Sequence, residues 1–97
     1  MKIFWTKTAK KHLKNIHSYI AHDSEYYANE FALKLKNAVL RLEQFSKSGR
    51  IIPETGNENA REIICGSYRI MYELIDDKVY IAQIVHGATN FTGEARR

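Results

Sequence analysis

Six side chains in the C-terminal half are of types that take part in acid–base or phosphate chemistry. They are Arg50, Glu54, Arg61, Glu62, Arg69 and His86. A carboxylate or an imidazole exchanges protons with a reacting group, and the planar guanidinium of arginine binds two phosphate oxygens at once. A simpler interpretation is that Arg61, Glu62 and Arg69 form ion pairs across strands on a solvated face of a sheet. Both interpretations require strands that bring these residues together.

Other kinds of reactive site find little support in the sequence. His12, His17 and His22 follow one another at intervals of five residues, which on a helix turns each by about 140° from the last. Metal ligands on one helix need a spacing of three or four, and Gly49 and Gly56 do not match a phosphate-binding loop. No serine lies in the Gly-x-Ser-x-Gly turn of a serine hydrolase. We therefore expect no bound metal and no cofactor.

The composition fits one small domain with a basic surface. The 97 residues suffice for one modest core, so we predict a single domain over residues 1–97 with a tail from about 88 to 97. A net charge of +4 and a pI near 9.3 favour contact with polyanions or with an acidic protein. The same charge would also simply keep a small protein in solution.

The single cysteine and the N-terminus indicate a reducing compartment. Cys65 has no partner for an intramolecular disulfide, and it lies in an apolar run where a thiol packs as a small core side chain. The segment Met1–Trp5 turns polar and basic at once, unlike a secretory signal peptide. Because no apolar run is long enough to span a bilayer, we expect a cytoplasmic protein.

Apolar spacing predicts a short edge strand and then a helical hairpin in the N-terminal half. The strand covers Lys2 to Trp5, and Thr6 or Thr8 caps the first helix. Asp23 or Ser24 caps the second helix after a short turn. The apolar stripes are Ala9, Leu13, Ile16 and Ile20 on the first helix, and Tyr27, Phe31, Leu35, Ala38, Leu42 and Phe45 on the second.

The C-terminal half changes from helical to strand-like spacing. Residues 46–59 read as a loop that contains an extended piece. Three runs rich in β-branched and aromatic residues follow at 61–65, 68–75 and 79–85, and their short connections predict an antiparallel meander. The predicted fold class is α+β, with the N-terminal strand and the helical hairpin packed on a twisted antiparallel sheet.

Alternation along the strands predicts which way the polar residues point. If the helices cover Ile70, Tyr72 and Leu74, then Arg69 lies on the open face of the sheet. His86 has the parity of Ile84, so a regular last strand would turn its imidazole into the core unless a β-bulge intervenes.

Five short motifs follow one another in the C-terminal half: Gly49-Arg50, Pro53-Glu54, Arg61-Glu62, Tyr68-Arg69-Ile70-Met71-Tyr72 and Val85-His86-Gly87. Their order, together with the elements above, resembles the RelE/ParE superfamily of toxins from type II toxin-antitoxin systems. The resemblance covers residues 3 to 91, including Trp5-Thr6, Ala9 and the segment from Ile16 to Ile20. It implies two helices against a twisted sheet, and a cognate antitoxin whose acidic C-terminal segment wraps the toxin.

Members of this superfamily act in two different ways, and the resemblance leaves both open. RelE-like members cleave messenger RNA on the ribosome. Similarity to them would make Glu54 the general base, Arg61 and Arg69 the phosphate ligands and His86 the general acid. Arg50 would contact nucleic acid or another target, and Phe91 would be the aromatic residue placed to stack on a base.

ParE-like members bind and poison DNA gyrase without performing chemistry themselves. The set of motifs quoted above is commonest among sequences labelled ParE, which favours this second mechanism. A third interpretation is an inactive relative that only binds an antitoxin. The sequence therefore predicts a growth-arresting toxin, most similar to ParE, with gyrase or ribosome-bound mRNA as its target.

Overall fold

The computed structural model describes residues 1–87, so the predicted tail at about 88–97 and its Phe91 lie outside the described part of the chain. The described residues form a sheet covered by a helical hairpin. In chain order the elements are β1 (Lys2–Trp5), α1 (Lys7–Ala21), α2 (Glu25–Leu40), a short 3-10 helix (Arg41–Glu43), β2 (Arg50–Ile51), β3 (Ala60–Cys65), β4 (Tyr68–Ile75) and β5 (Lys78–His86).

Both helices begin at one of the two residues predicted to cap them. The Thr6 hydroxyl accepts a hydrogen bond from the Ala9 N–H at 3.1 Å, and the Ser24 hydroxyl accepts one from the Tyr27 N–H at 3.2 Å. The predicted stripe of α2 was too long at both ends. Tyr27 is exposed because Ala28 takes the core-facing position in the first turn, and Phe45 is exposed beyond the end of the 3-10 helix.

The sheet has five strands in the order β1-β5-β4-β3-β2. Strands β3, β4 and β5 form the predicted antiparallel meander, and β1 is an edge strand, as predicted. The sheet as a whole is mixed and not purely antiparallel, because β1 pairs with β5 in the parallel direction. A parallel partner needs a long connection, and here the helical hairpin and the meander provide it. The α+β class with helices on a sheet is confirmed.

The two faces of the sheet are buried by different parts of the chain. On the helix face, Ile70, Tyr72 and Leu74 pack under α1 and α2, as predicted, and they form the main core with residues such as Leu35. On the opposite face, which we call the loop face, Ile52 from the segment after β2 packs on Met71. The loop face at the centre of the sheet is therefore covered and not open to solvent.

A β-bulge in β5 changes which of its side chains face the helices. Tyr72 is paired with Ile81 but Met71 with Gln83, so Ala82 is an extra residue. Before the bulge, Ile81 packs in the main core, and after it Ile84 does so.

In the described part of the chain, no helix combines the length and the apolar character needed to cross a bilayer.

Candidate functional site

Two arginines and two glutamates form an ion-pair network on the loop face. Glu62 lies at its centre, only 1% exposed, and Arg69 is 7% exposed. The Nε and Nη2 atoms of Arg69 both lie 2.7 Å from Oε1 of Glu62, and Nε of Arg50 donates to Oε2 at 2.6 Å. Nη2 of Arg69 also lies 3.2 Å from each carboxylate oxygen of Glu54. Charges alternate along this chain of four side chains.

The pairing of the strands places three members of the network side by side. Arg50 of β2 is paired with Glu62 of β3, so their side chains share a face. Glu62 is paired with Met71 of β4, which places Arg69 diagonally across from it, two residues along. Glu54 reaches the network from the segment after β2, where Thr55 N–H and hydroxyl both donate to the Ile52 carbonyl and close a turn.

The network favours the charged forms of two of its members, Arg69 and Glu54. Burial lowers the pKa of Arg69, but the hydrogen bonds and negative charges of Glu62 and Glu54 outweigh it, so the net shift is upward. Burial raises the pKa of Glu54, but the hydrogen bonds from Arg69 and from its own backbone, with the charges of Arg69 and Arg50, bring the pKa below its usual range. Glu54 is therefore a weaker proton acceptor than an ordinary glutamate.

Arg61 lies on the other face of the sheet. It is paired with Tyr72, whose ring is in the main core, so its side chain leaves β3 on the helix face. Its guanidinium donates to the carbonyls of Glu58, Lys47 and Gly49, at 3.1, 3.3 and 2.9 Å. These bonds fasten two loop segments to β3, and the structure does not bring Arg61 together with Arg69.

His86 is also on the helix face, at the end of β5. The predicted alternative to burial, a β-bulge, is present at Ala82, but it turns Ile84 and His86 towards the helix face. The imidazole stays exposed because the strand ends there, and its ring meets Tyr68 edge-on with centroids 5.5 Å apart. Without the bulge, His86 would share the loop face with Tyr80. The insertion thus separates His86 from Arg69.

The structure therefore divides the predicted site. Glu54 and Arg69 are in contact on the loop face, and Arg50 joins them through Glu62. Arg61 and His86 lie on the helix face. Sequence reasoning placed Glu62 in a solvated ion pair, whereas it is the buried centre of the network. The apolar pair Ile51-Ile52 within the predicted loop was the available signal that this face would be covered.

Two of the N-terminal histidines, His12 and His17, make structural contacts. Nδ1 of His12 accepts the backbone N–H of Ile84 at 3.1 Å, and Nε2 of His17 donates to Oδ1 of Asn29 at 2.7 Å. Burial, followed by the positive charge of Lys11, lowers the pKa of His12. Over residues 1–87, no three His, Cys, Asp or Glu side chains lie close enough to hold a metal ion.

Two comparisons with known protein structures match this fold. A chain from the chromosomal ParDE toxin-antitoxin system of P. aeruginosa superposes with a TM-score of 0.73 over 89% of this chain and 95% of that one, at 18% identity. A chain from the toxin-antitoxin complex RelBE2 of Mycobacterium tuberculosis gives 0.54 over 88% and 95%, at 20% identity. At such low identities these matches show the fold alone.

Two sequence comparisons show the family. Toxin RelE2 of Caulobacter vibrioides is 32% identical over 87 residues, which are 90% of this chain and 96% of that protein. Residues 3–91 match the model of the family described as the ParE toxin of type II toxin-antitoxin systems, parDE. The chain therefore belongs to the ParE toxin family, and with it to the RelE/ParE superfamily of type II toxins.

Proposed function

We propose that this toxin arrests growth by binding DNA gyrase and performs no chemistry of its own. The observation that carries the proposal is the division of the four candidate catalytic residues between the two faces of the sheet. Cleavage of RNA requires a base, an acid and a phosphate ligand around one phosphodiester. Glu54 and Arg69 on the loop face and His86 on the helix face do not surround a common point.

The state of the loop-face residues also favours binding over catalysis. A general base works best with a pKa near the working pH, and the pKa of Glu54 is shifted away from it, downwards. Arg69 already contacts two carboxylates, so a phosphate would have to displace one of them. Arg50 is different, since 64% of its side chain is exposed. We propose that Arg50 contacts the target.

The match to the ParE family model supports gyrase as the target class. The second candidate is ribosome-dependent cleavage of mRNA, which the 32% identity to a protein named Toxin RelE2 favours. In that case Glu54, Arg61, Arg69 and His86 would act only after the target rearranged them. If the chain neither poisons gyrase nor cleaves mRNA, we would conclude that it is an inactive relative that only binds an antitoxin.

We also propose that a cognate antitoxin neutralises this chain. Both structural matches come from toxin-antitoxin systems, and one of them is a structure of a toxin-antitoxin complex. The net charge of +4 suits an acidic partner segment. The antitoxin would be encoded in a neighbouring reading frame, and co-purification of the two products tests the pairing.

The decisive experiment applies two assays to one preparation of the chain. In a gyrase reaction with supercoiled plasmid, we expect the purified protein to trap cleaved DNA. In a translation reaction with a defined mRNA, we expect no new cuts within translated codons. Cuts in the mRNA without trapped DNA would overturn the proposal in favour of the nuclease, and a negative result in both assays would leave the inactive relative.

A matched pair of variants separates binding from chemistry. We expect His86→Ala to keep growth arrest within about twofold of the original chain, because a binding mechanism needs no general acid and His86 lies on the face opposite Arg50, the proposed contact of the target. His22→Ala removes an exposed histidine beyond α1 and serves as the control. A complete loss of growth arrest in His86→Ala alone, with the fold intact by circular dichroism, would point back to acid catalysis.

A further inference from the structure

The extra residue in β5 turns the side chain of Gln83 towards the loop face. Ile81 packs in the main core on the helix face, so in a regular strand Gln83, two residues later, would point the same way. Because Ala82 is inserted at the bulge, Gln83 instead pairs with Met71 of β4 and shares its face. A bulge can re-aim one side chain in this way, and here that side chain is a polar amide.

The Gln83 side chain is buried, yet its amide has no hydrogen-bond partner within residues 1–87. Only 8% of the residue is exposed. In the described part of the chain, every buried side-chain N or O atom that is sealed from solvent does have a partner. The amide atoms of Gln83 must therefore reach an accessible space, where their donors and acceptor are free to bind.

That space is a cavity of about 360 Å³ on the loop face, which we call the Gln83 cavity. It lies between the sheet and the segment after β2, and its apolar lining includes Ile52 and Met71. Two carboxylates, Glu54 and Glu73, also line it, whereas no Lys or Arg among the described residues does. In a chain with a net charge of +4, this cavity is locally acidic.

The two carboxylates of the cavity differ in how far they are paired. Both oxygens of Glu54 lie 3.2 Å from Nη2 of Arg69. Glu73 is half-buried on β4 and takes part in none of the ion pairs over residues 1–87. It lies two residues along β4 from Met71, and so diagonally across from Gln83. A partly buried carboxylate without a counter-ion favours a cationic ligand.

The wall opposite the sheet is held in shape by its own hydrogen bonds. The Thr55 hydroxyl donates to the Ile52 carbonyl at 3.0 Å and accepts from the Asn57 N–H at 3.1 Å. Oδ1 of Asn57 accepts from the Asn59 N–H at 2.9 Å. The cavity is therefore formed before any ligand arrives, as binding sites usually are.

We infer that the Gln83 cavity binds a guanidinium group, an arginine side chain presented by the protein target. The planar fork donates to both oxygens of Glu73, and a remaining N–H donates to Oε1 of Gln83. Its flat face packs on the apolar lining at Met71, which suits arginine because a guanidinium is less strongly hydrated than an ammonium. The ring of Tyr80, paired with Glu73 on β5, offers a further contact for a cation on the same face.

The source of the arginine rests on the proposed binding of a target, whereas the cavity itself does not. In the order of the strands, Arg50 on β2 and Gln83 on β5 lie on either side of Arg69 on β4, all on the loop face. A target that presents a carboxylate to Arg50 and an arginine to the cavity matches both charges. Such complementarity fixes the orientation in which the two proteins bind.

An NMR titration with N-acetyl-arginine methylamide tests the cavity without any target. We expect the side-chain amide signals of Gln83 to shift to saturation with a Kd on the order of 1 mM, as for other ligands of this size. The citrulline analogue has the same shape without the charge, and it should bind at least roughly tenfold more weakly. The inference is overturned if no saturable shift appears, if the citrulline analogue binds equally well, or if a nucleoside monophosphate binds more tightly.

A matched pair of variants tests the role of Glu73. Glu73→Gln removes the charge at constant size and should raise the Kd of the arginine compound by roughly tenfold or more. Glu30→Gln neutralises an exposed carboxylate of α2 that does not line the cavity. Equal effects of the two variants would mean attraction by net charge only, and would overturn the assignment of the cavity.

The same two variants in the gyrase reaction test the source of the arginine. We expect Glu73→Gln to need roughly tenfold more protein than the original chain to trap the same amount of cleaved DNA, and Glu30→Gln to match the original chain. If the original chain traps no DNA, the proposed function fails, while the titration still decides the cavity. If all three proteins trap DNA equally, the target does not use the cavity and the inference is overturned.

Discussion

Glu62 is predicted from the sequence to form an ion pair at the surface, but in the structure its ion pairs are buried. Its carboxylate accepts from two arginines, one of them 7% exposed, and none of its side-chain surface remains accessible. Taking a carboxylate out of water is costly unless opposite charges and hydrogen bonds replace the water. Arg50 and Arg69 supply both. Glu62 therefore holds Arg50 and Arg69 in place on the loop face and is not a surface ion pair.

The first prediction concerns the charge of Glu62. Glu62→Gln leaves Arg50 and Arg69 facing each other across a neutral amide, so we expect the free energy of unfolding to fall by about 3 kcal/mol. The partial exposure of Arg50 keeps the loss from being larger. Urea unfolding followed by circular dichroism measures it, with the exposed Glu58→Gln as the control. A loss equal to that of the control would contradict a buried, charged centre.

The second prediction concerns the hydroxyl of Tyr72. It accepts from the Gly49 N–H at 3.0 Å and donates to the Ser46 carbonyl at 2.7 Å, and it ties the segment before β2 to the core. Burial raises the pKa of Tyr72 against weaker opposing effects of the Gly49 N–H and Arg61, so the hydroxyl stays protonated and able to donate.

Tyr72→Phe leaves a buried N–H and a partly buried carbonyl without this partner. We expect it to cost about 2 kcal/mol in the free energy of unfolding, measured by urea titration. Tyr80→Phe is the matched control, because the contact described for Tyr80 is a ring stack on Phe4. Similar losses in both variants would mean that the hydroxyl of Tyr72 is not what holds the segment.

The contacts of single side chains were harder to predict from the sequence than the helices and strands. Alternation correctly assigned Arg69 to the face opposite Ile70 and Tyr72, because it follows from the pleat of one strand. The partners of Arg69 depend on how β3 pairs with β4 and on where the segment after β2 folds back. These are long-range contacts, and no local pattern around Glu54 or Glu62 encodes them.

At the scale of elements, the bulge in β5 is fixed by contacts from the N-terminal half. The Thr6 hydroxyl donates to the Ile81 carbonyl at 2.7 Å, immediately before the extra residue Ala82. The Ile84 N–H donates to Nδ1 of His12 at 3.1 Å, immediately after the bulged segment. Side chains of α1 and its cap thus accept or supply the hydrogen bonds around the irregular stretch of β5.

The third prediction follows from the unprotonated Nδ1 that this contact requires. Burial and then Lys11 lower the pKa of His12 from its ordinary 6.5 in the folded chain. As the pH falls below 6.5, the unfolded chain binds a proton that the folded chain does not, so the folded state loses stability. The contribution of His12 to the stability of the folded chain is fully present above its ordinary pKa of 6.5. It is lost as the pH falls through the lowered pKa of the folded chain.

His12→Asn keeps an acceptor near the Ile84 N–H but cannot be protonated. We expect the loss of unfolding free energy between about pH 7.5 and pH 5.5 to be smaller in this variant than in the original chain. The exposed His22→Asn is the matched control. An unaltered pH dependence in His12→Asn would show that the imidazole does not titrate with folding.

The helices, caps and hairpins were predictable because each depends on neighbours in sequence. The turn Asp76-Asp77 illustrates this, since both residues adopt positive φ, 50° and 60°, the conformation of a two-residue hairpin of type I′. The parallel pairing of β1 with β5 and the bulge at Ala82 were not predicted as observed. Both arise where segments some 75 residues apart meet, as in the hydrogen bond from Thr6 to Ile81.

On the scale of the whole molecule, one main core joins the helical hairpin to four strands. It runs from Ala9 and Leu35 on the helices to Cys65 on β3 and Ile84 on β5, with Ile3 and Trp5 of β1 packed against it. Elements that share one core are expected to unfold together. The thiol of Cys65 is a natural reporter of that event, because the sequence contains no other cysteine.

The fourth prediction is that Cys65 reacts only when the core opens. Burial raises the pKa of its thiol against the weaker opposing charges of Lys34 and Arg41, so little thiolate is present even where the group is reached. We expect a disulfide reagent at pH 8 to label the native chain at least roughly 10³-fold more slowly than the chain in guanidinium. Urea below the unfolding transition should accelerate labelling in step with the global unfolding free energy. Labelling that is fast and independent of urea would mean that the end of β3 opens separately from the core.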